Sequence, residues 1–139
     1  MKFALRGVNA EEMSFKLNPI KMKPGERIEL NPQFGHMFRK ADEKIWIAGI
    51  EVKIESTEDK PKPYNMKVRM VGIFEAEEVD TKEDEELLKV SAIETVFPYV
   101  RAAVSGMTAN AFVQPVVLPV FPGSLLVGEN ASESDSIKN

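Results

Sequence analysis

With 139 residues, 43% of them apolar, and a net charge of −4, the chain has the length of one domain and enough apolar material for a core. Lys and Arg are dispersed among acids, which excludes a general nucleic-acid binder and a basic membrane-surface patch. The absence of Cys removes disulfides, thiol nucleophiles and thiolate metal sites. The start, Met1 to Gly7, lacks the apolar run of ~7–15 residues that a secretory signal needs. No segment approaches the ~20 apolar residues of a membrane span, so the expected location is cytoplasmic.

Residues 3–8 and 13–20 alternate over short stretches (Phe3/Leu5, then Met13/Phe15/Leu17) and read as strand pieces separated by the polar run 9–12. Pro24-Gly25 is a turn signal. Ile28, Leu30, Phe34 and Phe38 share one parity, with a bend at Pro32 and Gly35. Trp46, Ala48, Ile50, Val52 and Ile54 alternate with Glu51, Lys53 and Glu55, the pattern of a half-buried strand. Residues 56–63 are polar, contain two prolines and form a loop. Met66, Val68, Met70, Gly72 and Phe74 then share a face opposite Lys67 and Arg69. Connections this short predict an antiparallel meander. Ile45, Ile47, Val71 and Ile73 have the opposite, outward parity; they are either strand-end residues under a loop or a subunit interface.

From Glu83 the apolar period becomes helical: Leu87, Val90, Phe97, Val100, Val104 and Met107 recur at steps of three and four or their sum. Pro98 predicts an interruption, giving helices over 83–94 and 96–109, with Thr95 as cap of the second. Residues 112–126 hold three prolines among nine large apolar residues, so they form an extended segment that must lie on something. Residues 128–139 are small, polar and charged, a composition expected to be disordered; the domain is expected to span 1–127.

Catalytic chemistry finds no residues. His36 is the one histidine, in a strand between Gly35 and Met37, and no base–nucleophile arrangement can be built around it. Asp84-Glu85-Glu86 reads as a solvated first helical turn and not as a metal site. Gly72 and Gly106 stand alone and make no phosphate loop. The expectation is a protein that is not an enzyme and needs no cofactor or metal.

The segment Phe97-Pro98-Tyr99-Val100-Arg101, followed after a helix by the Pro-rich crossover with Leu118-Pro119-Val120-Phe121, resembles the SecB protein-export chaperones. Gly72-Ile73-Phe74 is similar to the end of that family's last strand, and Phe3-Ala4-Leu5-Arg6 through Met13-Ser14-Phe15 has the spacing of its first. The resemblance implies an α+β fold, a four-stranded antiparallel sheet with a long helix on one face. It also implies a homo-oligomer, a dimer of dimers, that holds unfolded polypeptide clients in hydrophobic grooves without ATP and delivers them to SecA. Carried over, the candidate client contacts are Phe38 and Trp46 on the sheet and Phe112, Val116, Leu118, Val120, Phe121 and Leu125 on the crossover, whose alternative role is to cap the monomer core. Tyr99 joins Ile45, Ile47, Val71 and Ile73 as a candidate interface residue. Glu12 retains a carboxylate for partner docking, whereas Lys16 and Lys67 stand where export chaperones carry acids. Like-charge repulsion then weakens SecA docking and opens the role of chaperone to an antitoxin. The family's second helix is reduced here to a stub by Pro122-Gly123 and Gly128. Seven Met and eight Phe supply adaptable apolar area for a promiscuous holder. A carrier of a small apolar ligand is the alternative from another class.

Overall fold

The computed structural model describes residues 1–19, 29–114 and 116–119. Four strands, β1 (Lys2–Leu17), β2 (Gln33–Lys40), β3 (Ile45–Ile54) and β4 (Tyr64–Glu77), are followed by one helix, α1 (Lys82–Asn110). All pairings are antiparallel and the spatial order is β1-β4-β3-β2. The expected antiparallel sheet with a helix on one face is thus present. The meander, however, holds only for β2 to β4. β1 crosses over to pair with β4, a long-range choice that no local connection length encodes.

β1 is continuous where its sequence suggested two pieces. Its register against β4 shifts between Leu5 and Gly7 and again between Ala10 and Glu12. Each inserted residue reverses the alternation of the strand. The apolar parity therefore runs Phe3/Leu5, then Val8/Ala10, then Met13/Phe15/Leu17, and all seven lie opposite inner-face positions of β4 from Ala76 to Tyr64. The bulges keep one apolar face on a strand whose sequence changes phase twice. At its end, Asn18 donates from its amide to the Lys62 carbonyl and to Asn65 Oδ1, fastening β1 to the start of β4 and the loop before it.

The core lies between the inner face and α1. Trp46, Ala48, Ile50, Val52 and Ile54 from β3 and Tyr64, Met66, Val68, Phe74 and Ala76 from β4 meet Leu88, Ala92, Ile93, Val96, Phe97, Val100 and Val104. Gly72 lets the helix in close: Val96 stands where a side chain on that residue would begin. α1 runs through Pro98 without interruption. Proline removes a helix hydrogen bond, at a cost of ~3 kcal/mol, but Val96, Phe97 and Val100 around it are all buried and hold the helix on the sheet. The helix therefore does not restart at Thr95, whose hydroxyl donates to the Ser91 carbonyl within the helix.

The true N-cap is Thr81. Its hydroxyl accepts from the Asp84 N–H at 3.0 Å, while the Asp84 carboxylate accepts from the N–H groups of Asp80 and Thr81. Those backbone donors hold the Asp84 carboxyl below the usual aspartate range. A depressed value in the folded state means that this contribution is full above the ordinary aspartate pKa and is lost as pH falls through the folded one. Thr81→Ala should lower unfolding stability by ~1 kcal/mol in urea titration. An unchanged midpoint would show the box to be dispensable.

Candidate functional site

α1 packs mainly on β3 and β4, leaving two different flanks. On the β1 flank apolar surface stays open: Phe3, Met13 and Leu17 on the strand are exposed, as is Tyr99 on the helix. On the other flank the chain leaves the helix and returns along it.

That return begins with a Schellman turn. The Phe112 N–H donates to the Ala109 carbonyl and the Val113 N–H to the Thr108 carbonyl. The residue in the left-handed position, where glycine is usual, is Phe112 at φ 60°. It is also 97% exposed. A non-glycine residue there costs on the order of 1 kcal/mol, and burial of the ring returns nothing within the monomer.

Beyond it, residues 116–119 run back beside α1. Val116 is half-buried, Val117 is 71% exposed, and Leu118 is 2% exposed within the core cluster. Arg101 Nε donates to the Leu118 carbonyl and Ser105 Oγ to the Val116 carbonyl, both at 2.9 Å. The expected client contacts thus divide. Phe112 faces solvent, Val116 partly so, and Leu118 fills the core. Val117, which sequence reasoning passed over, faces outward because alternate residues of an extended segment point to opposite sides. Val120, Phe121, Leu125, the expected stub helix and the polar tail lie outside the described residues.

On the sheet, Trp46 is 5% exposed. Phe38 stacks on it with ring centroids 5.2 Å apart, and the Lys40 ammonium stands 5.5 Å from its ring centroid. Trp46 is therefore a core residue with Phe38 as its half-buried cover. Beside them a depression of about 480 Å³ is lined by Lys40, Glu43, Lys44, Glu77, Glu78 and Asp80 together with Trp46, Ala76 and Val79. Its charged wall does not match the apolar pocket of a lipid-like ligand. His36 is buried on the inner face of β2, and no group of three or more metal-ligating side chains occurs among the described residues. No described helix is long and apolar enough to cross a membrane.

The outer face of the sheet has an apolar end and a charged end. Ile47 lies opposite Ile73, and Ile45 beside them, all half-exposed. Val71 is buried instead: it and Met37 from β2 both pack over Gly49, which has no side chain to hold them off. Toward the other end, Glu51 is buried and holds Arg69 at 3.0 Å and Lys67 at 3.5 Å. Lys67 also meets Glu12 at 3.7 Å. Glu12 is thus a member of an ion network and half-buried, on the sheet face opposite Phe112 and the returning segment.

Comparison with known proteins agrees with this architecture. The family model described as preprotein translocase subunit SecB matches residues 2–121. The uncharacterized protein MJ0357 of Methanocaldococcus jannaschii is 32% identical over 123 residues, covering 85% of this chain and 79% of that protein. The protein-export protein SecB of Anaplasma phagocytophilum is 25% identical over 93 residues, covering 65% and 59%. Among solved structures, the SecB-like chaperone Rv1957 of Mycobacterium tuberculosis, in complex with a peptide of the HigA1 antitoxin, superposes with a TM-score of 0.60. It is 12% identical, over 86% of this chain and 87% of that one. A family model spanning nearly the whole chain, with the sheet-and-helix fold to match it, makes this protein a member of the SecB family of chaperones.

Proposed function

We propose that this protein is an ATP-independent holder of non-native polypeptides, taking extended apolar segments on the surface around Phe112 and Val117. The observation that carries this is Phe112. A phenylalanine in a glycine position, almost wholly exposed, carries a backbone cost that no burial of its ring offsets in the monomer. It is accounted for by a contact outside the monomer. Phe38 and Val116, both partly exposed, extend the same reading, and Phe121, Val120 and Leu125 are its candidates further along the chain. The structural relative bound to an antitoxin peptide supports a polypeptide client.

Assembly belongs to the proposal. The open flank of Phe3, Met13, Leu17 and Tyr99 supplies apolar area for a homo-oligomer, a dimer of dimers in the cytoplasm. Ile45, Ile47 and Ile73 offer a second, smaller contact. Delivery to SecA receives less support than holding. Glu12 is occupied by Lys67, which leaves little unopposed negative charge on the face where export chaperones are acidic. An antitoxin-type client, held and not exported, is the alternative, supported by the antitoxin peptide bound to the structural relative.

The test is suppression of aggregation of a chemically unfolded client without nucleotide. Protection at near-stoichiometric protein is expected; aggregation that proceeds unchanged at several-fold excess refutes holding.

A further inference from the structure

One flank of α1 carries Arg101, Ser105 and Thr108 at four- and three-residue spacing, which aligns them along the helix. All three bond to the main chain of the returning segment. Thr108 Oγ1 accepts the Val116 N–H at 2.9 Å, Ser105 Oγ donates to the Val116 carbonyl at 2.9 Å, and Arg101 Nε donates to the Leu118 carbonyl at 2.9 Å. Of the side chains held, Leu118 enters the core and Val117 points away. Such a row grips backbone and receives an apolar side chain at alternate positions, whatever the sequence between. That is what a holder of unrelated unfolded chains requires.

We propose that this row is a docking site for client main chain, and that the protein's own Val116–Leu118 strap is its resident occupant, lifted off the row when a client binds while Val117 and Phe112 keep their outward-facing contact with that client. The inference rests on the holding function proposed above. Strap and client share the same chemistry: extended, apolar, and able to offer N–H and carbonyl groups along one edge. Thr108 can serve either chain. It is fully buried, and its hydroxyl proton is directed at the Val104 carbonyl, so the oxygen remains as an acceptor. With the strap gone, that acceptor is free to take an N–H of an incoming chain in place of the one that Val116 supplied. The strap is also lightly held. Leu118 is its one fully buried side chain among 116–119, and Pro119 has no N–H to add.

Hydrogen exchange on the wild-type protein, with and without a saturating Leu- and Phe-rich unfolded peptide carrying a fluorophore, tests this directly. The Val116 amide should be protected in the free protein and should exchange faster in the complex, because its partner Thr108 has been taken. Fluorescence anisotropy with the same peptide gives the second reading. Leu118→Ala removes the anchor of the strap, raises the competent fraction and should tighten binding by ~10-fold. Peptide binding with Val116 still protected overturns the proposal, and so does unchanged or weaker binding by Leu118→Ala. A wild-type protein that binds no peptide at all overturns the holding function, and this proposal with it.

Discussion

Phe112→Gly is expected to make the protein more stable and a poorer holder of clients. Glycine adopts the left-handed conformation of the Schellman turn without the steric cost that a phenylalanine meets at φ 60°. The turn's two backbone bonds, to the Ala109 and Thr108 carbonyls, need no side chain and survive the change. Stability should rise by ~1 kcal/mol, or about 3–5 °C in melting temperature for a domain of this size. At the same time the exposed ring is lost as a contact. Aromatic anchors carry much of the energy at binding surfaces, so protection of an aggregating client should need roughly 10-fold more protein. Adding Val117→Asp, at a neighbouring solvent-facing position, should deepen the loss without lowering stability. The two readouts move in opposite directions, which separates function from folding. A less stable Phe112→Gly would show that the ring packs in the monomer after all. Full client protection by the double variant would move the client surface elsewhere.

Gly72→Ala should be the most damaging single methyl in the sheet. A Cβ there would stand 2.6 Å from Val96 Cγ2 and 2.9 Å from Phe74 Cε1, and both neighbours are fully buried. Neither is the free end of a flexible side chain, so α1 has to rise off the sheet. Overpacking of this kind costs ~1–3 kcal/mol, beyond the small gain from replacing glycine in a strand. Val96→Ala should partly rescue it, because it removes the obstructing methyl group. On its own Val96→Ala opens a cavity and destabilises. A double-mutant cycle by urea unfolding should therefore show strong favourable coupling between the two alanines. Additive losses would mean that the helix seat is set elsewhere.

Much of the fold was legible wherever the local pattern and the tertiary outcome agree. The alternation from Trp46 to Ile54 and from Met66 to Phe74 gave both central strands and their buried face. It failed where distant partners decide. β1 looked broken because its apolar phase flips twice, and only pairing with β4 shows the flips to be bulges. Pro98 looked like a helix break because a proline's local cost is visible in sequence, whereas the packing of Val96, Phe97 and Val100 that overrides it is not. Thr95 was a plausible cap by type; Thr81, with Asp84 three residues on, had the stronger capping box. The site was legible as a region and not residue by residue. An extended apolar segment was clear from its prolines, but which of Val116, Val117 and Leu118 turns outward depends on which one enters the core. Nothing in Asn110-Ala111-Phe112 marks the phenylalanine, in place of the asparagine, as the left-handed residue.

The ion network on the outer face bears on how fast partners arrive there. Lys67 is shared between Glu12 and Glu51, and Arg69 is committed to Glu51. Charges satisfied within ~4 Å of each other cast little field into solvent, so this patch steers an approaching protein weakly. Association through it should proceed at the rate of an unsteered encounter, ~10⁵–10⁶ M⁻¹s⁻¹, and change little with added salt. A face of unopposed carboxylates would instead draw in a basic partner rapidly at low ionic strength and lose it as salt rises. The protein thus presents a surface whose encounters are governed by shape and residence time, and a partner that depends on electrostatic capture would find little there to follow.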